Sequence, residues 1–329
     1  MKSNNGHLVL SLDFELFWGI FDVRSLDSYK QNLENVKIVI PRLLELCDAY
    51  NAKLSFATVG LLFAKTKDDI LNSAPNLKPT YTNPNFSPYR YIDTIGEIEE
   101  EDPYHYANSL IKIISKNGNH EIASHSFSHY FTNEEGQNKE QFEEDLKANI
   151  KIAKQNEIQI KSFVFPRNQI NNDYLPICTK LGMLSYRGTE KHWIYDTKNT
   201  RKLGSPLCRI MRLLDSYINI TGHNTYCINT INKNKSIINI PSSKFLRPFN
   251  KKLSFLETTK VTRINKSMSY AAKHNEVFHL WWHPHNFGNN IDDNFKVLEC
   301  ILKHYQKLNK EHSFKSITMK ALASQVNPN

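Results

Sequence analysis

Cysteine is scarce in this 329-residue chain. The five residues Cys47, Cys178, Cys208, Cys227 and Cys300 are odd in number and contain no CxxC pair. They therefore imply neither a disulfide framework nor a cysteine zinc cluster, and reduced thiols in a reducing compartment are expected. Glycine is also sparse, at 11 residues, and nowhere forms a Gly-rich loop able to cradle phosphate. No run approaches the roughly 18 apolar residues of a membrane-spanning helix. Internal repeats, low-complexity domains and a basic tail are all missing, and nothing points to nucleic acid. Met1-Lys2-Ser3-Asn4-Asn5-Gly6 leads into an apolar strand without the apolar stretch of a secretory leader, so a cytoplasmic protein is expected. No protein partner is evident. The one charge imbalance, a net +9, favours anionic substrates such as sugar nucleotides or lipid-linked sugar phosphates, or peripheral association with the inner face of a membrane. A bias toward Lys, Asn and Ile in the composition accounts for it better.

The length suits one catalytic domain spanning residues 1–329, with insertions. Apolar periodicity alternates in the α/β manner. Tyr29 to Tyr50 reads as an amphipathic helix through Val36, Val39, Ile40, Leu43, Leu44 and Leu46, and Lys53 to Val59 as a strand. Helices follow over Tyr106–Lys116, Lys139–Gln155 and Tyr174–Leu181, with Ser162–Phe165 a strand between the last two. Later come a short strand end at Leu184–Gly188, a strand over Ser236–Ile240, and helices over Leu253–His274 and Asp293–Leu308. Residues 75–105 and 200–235 lack sustained periodicity and read as insertions, the first a possible lid.

Chemistry-bearing residues gather at the ends of apolar runs. Leu8 to Leu12 empties into Asp13-Phe14-Glu15, and a period of two puts both carboxylates on one face. His125 and His129 are four residues apart after another short run, a spacing at which two imidazoles can converge on one cation. Phe163-Val164-Phe165 is followed by Pro166-Arg167-Asn168, and Val277 to Trp282 by His283-Pro284-His285. One carboxylate could hold a metal while the other, left free, accepts a proton. Taken alone, the acids could equally be turn caps and Arg167 a surface arginine. His279 and His285 are expected to support the site rather than to ligate.

In order and spacing these segments resemble the polysaccharide deacetylases, or NodB-homology carbohydrate esterases. The resemblance rests on Asp13-Phe14-Glu15, His125-Ser126-Phe127-Ser128-His129, Phe165-Pro166-Arg167-Asn168 and Leu280-Trp281-Trp282-His283. It implies a distorted, incomplete (β/α) barrel that removes an N-acetyl group from an amino sugar. Glu15, His125 and His129 would hold a divalent metal, Zn2+ first, with Co2+, Ni2+ or Fe2+ also suited. Asp13 would be the general base, oriented by Arg167, and His283 would protonate the leaving amine. Leu280 would line the acyl pocket; from their own positions, Trp18, Trp281 and Trp282 either fill core or stack on the sugar ring. The implied substrate is an N-acylated amino sugar, nucleotide- or lipid-linked, used in building a surface glycan such as an O-antigen or capsule. A deformylase or non-sugar amide hydrolase, or an inactive glycan-binding protein, are the alternatives on the same scaffold.

Three departures stand out. The acids are Asp-x-Glu where many members have adjacent aspartates. Strict alternation would put Leu280 and His283 on opposite faces of a straight strand. The acid that usually supports the catalytic histidine has no clear counterpart, with Asp196 the nearest candidate.

Overall fold

The computed structural model describes residues 5–196, 205–232 and 235–326. Among the described residues, nine strands form one sheet: β1 (His7–Phe14), β2 (Leu54–Thr58), β3 (Glu121–Ser124), β4 (Ser162–Phe163), β5 (Ser185–Tyr186), β6 (Ile238–Asn239), β7 (Lys244–Phe245), β8 (Val277–Trp282) and β9 (Lys315–Ser316). Neighbouring strands run parallel in the order β6-β5-β4-β3-β2-β1-β8-β7, and β9 adds beside β1. Parallel neighbours need crossover connections, and helices supply most of them. The helices are α1 (Leu26–Glu34), α2 (Val36–Ala49), α3 (Lys67–Ser73), α4 (Asn108–Asn117), α5 (Lys139–Gln155), α6 (Leu175–Lys180), α7 (Pro206–Asp215), α8 (Ile228–Ile231), α9 (Glu257–His274), α10 (Ile291–His312) and α11 (Met319–Val326).

The outermost strands, β6 and β7, are consecutive in the chain and separated only by residues 240–243. On one side, the Ile240 and Ser242 amides donate to the Tyr186 and Gly188 carbonyls; on the other, Ser243 and Leu246 donate to His279 and Trp281. The change of partner falls between Ser242 and Ser243, just past Pro241. The sheet thus curls into the expected distorted (β/α) barrel, incomplete where four of its walls are only two residues long.

Alternation along β1 sorts the core. Leu8, Leu10, Leu12 and Phe14 pack outward in one large cluster with Val36, Val39, Ile40 and Leu43 of α2. Val9 faces inward with Ala57, Val164 and Val277, where Met319, Leu322 and Ala323 of α11 plug the barrel. Each of the buried Val, Leu, Ile, Met and Phe side chains contributes about 1.5–3 kcal/mol. With the lower end closed, the carboxyl ends of the strands are left for chemistry.

Two expectations need correction. The helix read over 29–50 is two, α1 and α2, meeting at Asn35. The Asn32 and Asn35 amides reach the carbonyls of His285 and Gly288 at 2.9 and 2.7 Å, so the break lets the pair grip the loop after β8. Elements after residue 308 also went unread, among them β9 and the plug α11. Residues 75–105 contain only single 3-10 turns, at Pro84–Phe86, Pro88–Arg90 and Ile92–Thr94. Residues 197–204 and 233–234 of the second irregular stretch lie outside the described residues.

Candidate active site

Asp13 lies near the end of β1 on the inward face, and Glu15 precedes the 3-10 turn Leu16–Gly19 as its N-cap. Both are buried. A Cβ on Gly19 would fall 1.9 Å from Glu15 Cδ, so only glycine leaves room for that carboxylate. His125 and His129 come from the turn after β3, in which Ser126 and His129 adopt left-handed backbone, φ 61° and 55°. Backbone of this kind persists only where its surroundings hold it. Here Asp145 of α5 does so: it accepts the Phe127 and Ser128 amides at 2.7 and 3.1 Å, and the Ser128 hydroxyl. Burial pushes its carboxyl up to about 6. This support escaped sequence reading, since Asp145 sits amid an ordinary amphipathic helix.

The imidazoles converge on Glu15. Oε2 lies 3.3 Å from His125 Nε2 and 3.1 Å from His129 Nε2, and one donor atom from each of the three residues falls within 4.8 Å of the others. His125 Nδ1 gives its proton to the Val164 carbonyl at 2.9 Å, which turns the bare Nε2 lone pair toward the carboxylate. That Nε2 is buried without a hydrogen-bond partner, as is His129 Nδ1. Lone pairs facing one another in a dry site are unfavourable unless a cation lies between them, and two imidazoles with one carboxylate is a donor set for zinc and its neighbours. The three residues fit a divalent metal. Burial pushes the Glu15 carboxyl up, but His283, His125 and His129 together bring it well below the ordinary range.

The guanidinium on Asp13 belongs to Arg187, not Arg167. Arg187 follows β5, is fully buried, and donates Nη1 to Oδ1 at 2.6 Å and Nη2 to Oδ2 at 2.7 Å. Nη1 also reaches Ser11 Oγ at 3.1 Å, and that hydroxyl meets His279 Nε2 at 2.8 Å. Neutral His279, its pKa pushed down to about 3 by burial and by Arg187, thereby anchors the arginine. Asn168 Oδ1 accepts Nη2 at 2.9 Å, and the Trp281 ring lies 4.3 Å from the guanidinium carbon. Against the burial that would raise it, Arg187 holds the Asp13 carboxyl below its usual range, aided by His125 and His283. Arg167, displaced by a left-handed turn at φ 54°, pairs instead with Asp22 and lies over Phe131 at 4.2 Å.

His283 brings Nε2 to 3.4 Å from Glu15 Oε1 and 3.8 Å from Asp13 Oδ2. Its Nδ1 lies 3.3 Å from the Asn286 amide, whose oxygen takes the Tyr29 hydroxyl at 3.0 Å. Asp196 is exposed and lines neither cavity at the site, so an amide holds this histidine where an acid was expected. His285 stacks on His283 at 5.0 Å and is buried, its pKa pushed down to about 3.

Two of the proposed substrate contacts fail on alternation and a third is buried away from the site. His279, Trp281 and His283 share the inward face of β8, while Leu280 and Trp282 pack into the outer core. Trp18 is buried there too, its indole donating to the His105 carbonyl at 2.8 Å. Trp281 does line the site, a cavity of about 400 Å3 bordered by Asp13, Glu15, His129 and His283. No residue of 75–105 borders it. Phe86 from that stretch packs edge-on against Phe131, behind Arg167.

Residues 34–186 match the family model for polysaccharide deacetylase. No curated protein sequence matches the chain. Among solved structures, a Mycobacterium smegmatis protein assigned as a polysaccharide deacetylase is 12% identical, with a TM-score of 0.62 over 100% of this chain and 92% of its own. A Pseudomonas aeruginosa PAO1 protein with the same assignment is 11% identical, with a TM-score of 0.56 over 98% and 91%. The allantoinase Puue, also 11% identical, gives 0.58 over 100% and 94%. These likenesses establish the barrel, and the segment that matches the polysaccharide deacetylase model runs from the end of α1 to the end of β5.

Proposed function

We propose that the protein is a metal-dependent amide hydrolase that removes an N-acetyl group from an amino sugar. The observation that carries this reading is one cavity bordered by Asp13, Glu15, His129 and His283, with His125 buried against Glu15 and Arg187 buried against Asp13. Glu15, His125 and His129 would hold the metal, with Zn2+ the first candidate and Co2+, Ni2+ and Fe2+ compatible with the same donors. When bound, it supplies Lewis acidity toward the acyl carbonyl and toward water.

The remaining work falls to this chain's own groups. Asp13, kept ionised by Arg187, takes a proton from the water that attacks the amide carbon. His283, aligned by Asn286, delivers a proton from Nε2 to the departing nitrogen as the C–N bond breaks, leaving acetate and a free amine. Trp281 offers an apolar wall beside both groups. The set of buried, mutually dependent charges supports an active enzyme over a retired binding protein, since a site without chemistry gains nothing from their desolvation cost.

Among the described residues no helix is long and apolar enough to cross a membrane. We take the substrate to be a cytoplasmic precursor of a surface glycan, nucleotide- or lipid-linked, and the chain to act as one catalytic domain. The test is elemental analysis of protein purified without a histidine tag, paired with acetate and formate release from N-acylated sugar nucleotides, sugar phosphates and chito-oligosaccharides. About one metal per chain and chelator-sensitive acetate release are expected. Formate release alone would redirect the reading to a deformylase, and absence of metal after zinc or cobalt is added back would overturn it.

A further inference from the structure

Beyond Trp281 the catalytic cavity adjoins a second pocket of about 230 Å3, and Arg167, Asn168, Trp281 and His283 border both. The far wall of this pocket is basic. Arg212 reaches it from α7, Lys244 from β7 and Arg247 from just after β7. One carboxylate faces them, Glu190, which burial pushes above its ordinary pKa and which takes the Ser242 hydroxyl at 2.9 Å.

These cations are not equally matched. Lys244 Nζ lies 2.5 Å from buried Asp215, which also accepts the Tyr195 hydroxyl at 2.9 Å and faces Arg263 at 3.6 Å. That carboxylate is fully engaged. Arg247 donates Nε to Ser216 Oγ at 2.7 Å, and among the described residues its guanidinium forms no ion pair. Arg212 gives one N–H to the Ile194 carbonyl at 3.1 Å. Burial lowers the Arg247 pKa, and the charge of Arg212 lowers it further. The Arg247 guanidinium is thus held partly dried beside a second cation, an arrangement that costs folding energy and is relieved when an anion enters. Guanidinium forks suit the paired oxygens of phosphate and carboxylate alike.

We propose that this pocket receives an anionic group, phosphoryl or carboxylate, carried by the sugar whose acylamino group faces Glu15, His125 and His129. The substrate's identity as an acylated sugar rests on the deacetylase reading; the anion rests on the pocket's own charge. Shared walls let one ligand span both spaces, with Trp281 between the reacting amide and the anion.

Calorimetric titration of the full-length protein with pyrophosphate, and separately with glucuronate, tests this. At least one anion should bind, more weakly as salt is raised. Arg212→Gln and Arg247→Gln should each weaken binding by about tenfold or more, and Arg247→Lys by less. His125→Ala should leave it unchanged, which separates this pocket from the metal site. Selective binding of pyrophosphate assigns a phosphoryl group, and selective binding of glucuronate a carboxylate. Should a glutamine variant fail to fold, Thr189→Glu, on the same wall, should abolish binding. Failure of both anions to bind, or binding that the glutamine variants or Thr189→Glu leave intact, overturns the proposal. Heat of binding is read without turnover, so that result leaves the deacetylase reading standing, and a lack of acetate release would leave this one standing.

Discussion

Arg187 grips Asp13 with both arms of its guanidinium, at 2.6 and 2.7 Å, in a contact sealed from water. A planar fork makes this geometry and an ammonium does not. Arg187→Lys should therefore cut kcat by about a hundredfold while metal content holds, because Asp13 stays charged but loses its alignment. Arg187→Met should also lower stability by about 3–5 kcal/mol, since it leaves a buried carboxylate unpaired. Arg167→Ala, which frees only Asp22, should cost about tenfold in kcat or less. Steady-state kinetics on the three variants decide the matter, and a larger loss for Arg167→Ala than for Arg187→Lys would reverse the assignment.

The contrast between the two arginines marks where sequence stops being informative. Asp13, Glu15, His125 and His129 were legible because each pair is local: a period of two, or a spacing of four, states which side chains share a face. Arg167 and Arg187 both follow short strands, β4 and β5, that end at the same rim. Which one turns inward depends on a left-handed turn after Pro166 that periodicity does not encode. Asp145 reaches the Phe127 and Ser128 amides from another element, and Asn286, three residues from His283, is an amide where an acid was sought; both side chains are unremarkable in their own segments. Leu280 and Trp282 are a different case, because the alternation of β8 already put them opposite His283, and the barrel obeys it without a bulge. The two-residue strands are too short to carry any period, so the closure through residues 240–243 was not readable at all.

Gly19 offers a clean probe of the metal site. Its backbone is not left-handed, so alanine is conformationally acceptable there, yet the added methyl would sit 1.9 Å from Glu15 Cδ and 2.1 Å from Oε1. The carboxylate must move. Gly19→Ala should lower zinc affinity by about 10- to 100-fold with little change in melting temperature of the metal-free protein. Competition against a chromophoric chelator reads the first quantity, and unchanged affinity would remove Glu15 from the ligand set.

Asp13 and His125 should separate binding from chemistry. Asp13→Asn keeps the shape of the side chain but not its basicity, so near-stoichiometric metal with kcat reduced by about a thousandfold or more is expected. His125→Ala should lose both metal and activity. Elemental analysis and acetate release on the same preparations check this, and equal metal loss in the two variants would contradict the division of labour between Asp13 and Glu15.

Glu121 ties pH to the barrel's lower end. Its carboxylate accepts the Ser55 and Ser162 hydroxyls at 2.8 and 2.5 Å and the Lys320 amide at 2.9 Å, which docks α11. Burial nonetheless dominates and raises its pKa above the ordinary 4.5. The folded chain then holds this proton more tightly than the unfolded chain does, so unfolded molecules bind fewer protons in the window between the two values. This group's contribution is fullest below the ordinary value and declines as pH rises through the folded one. Glu121→Gln keeps an acceptor but cannot ionise, and its stability should lack that decline. Urea midpoints of the two proteins should therefore move in the variant's favour as pH goes from about 4.5 toward 8. A difference that stays constant across that range would mean that Glu121 is no less easily ionised in the barrel than in the open chain.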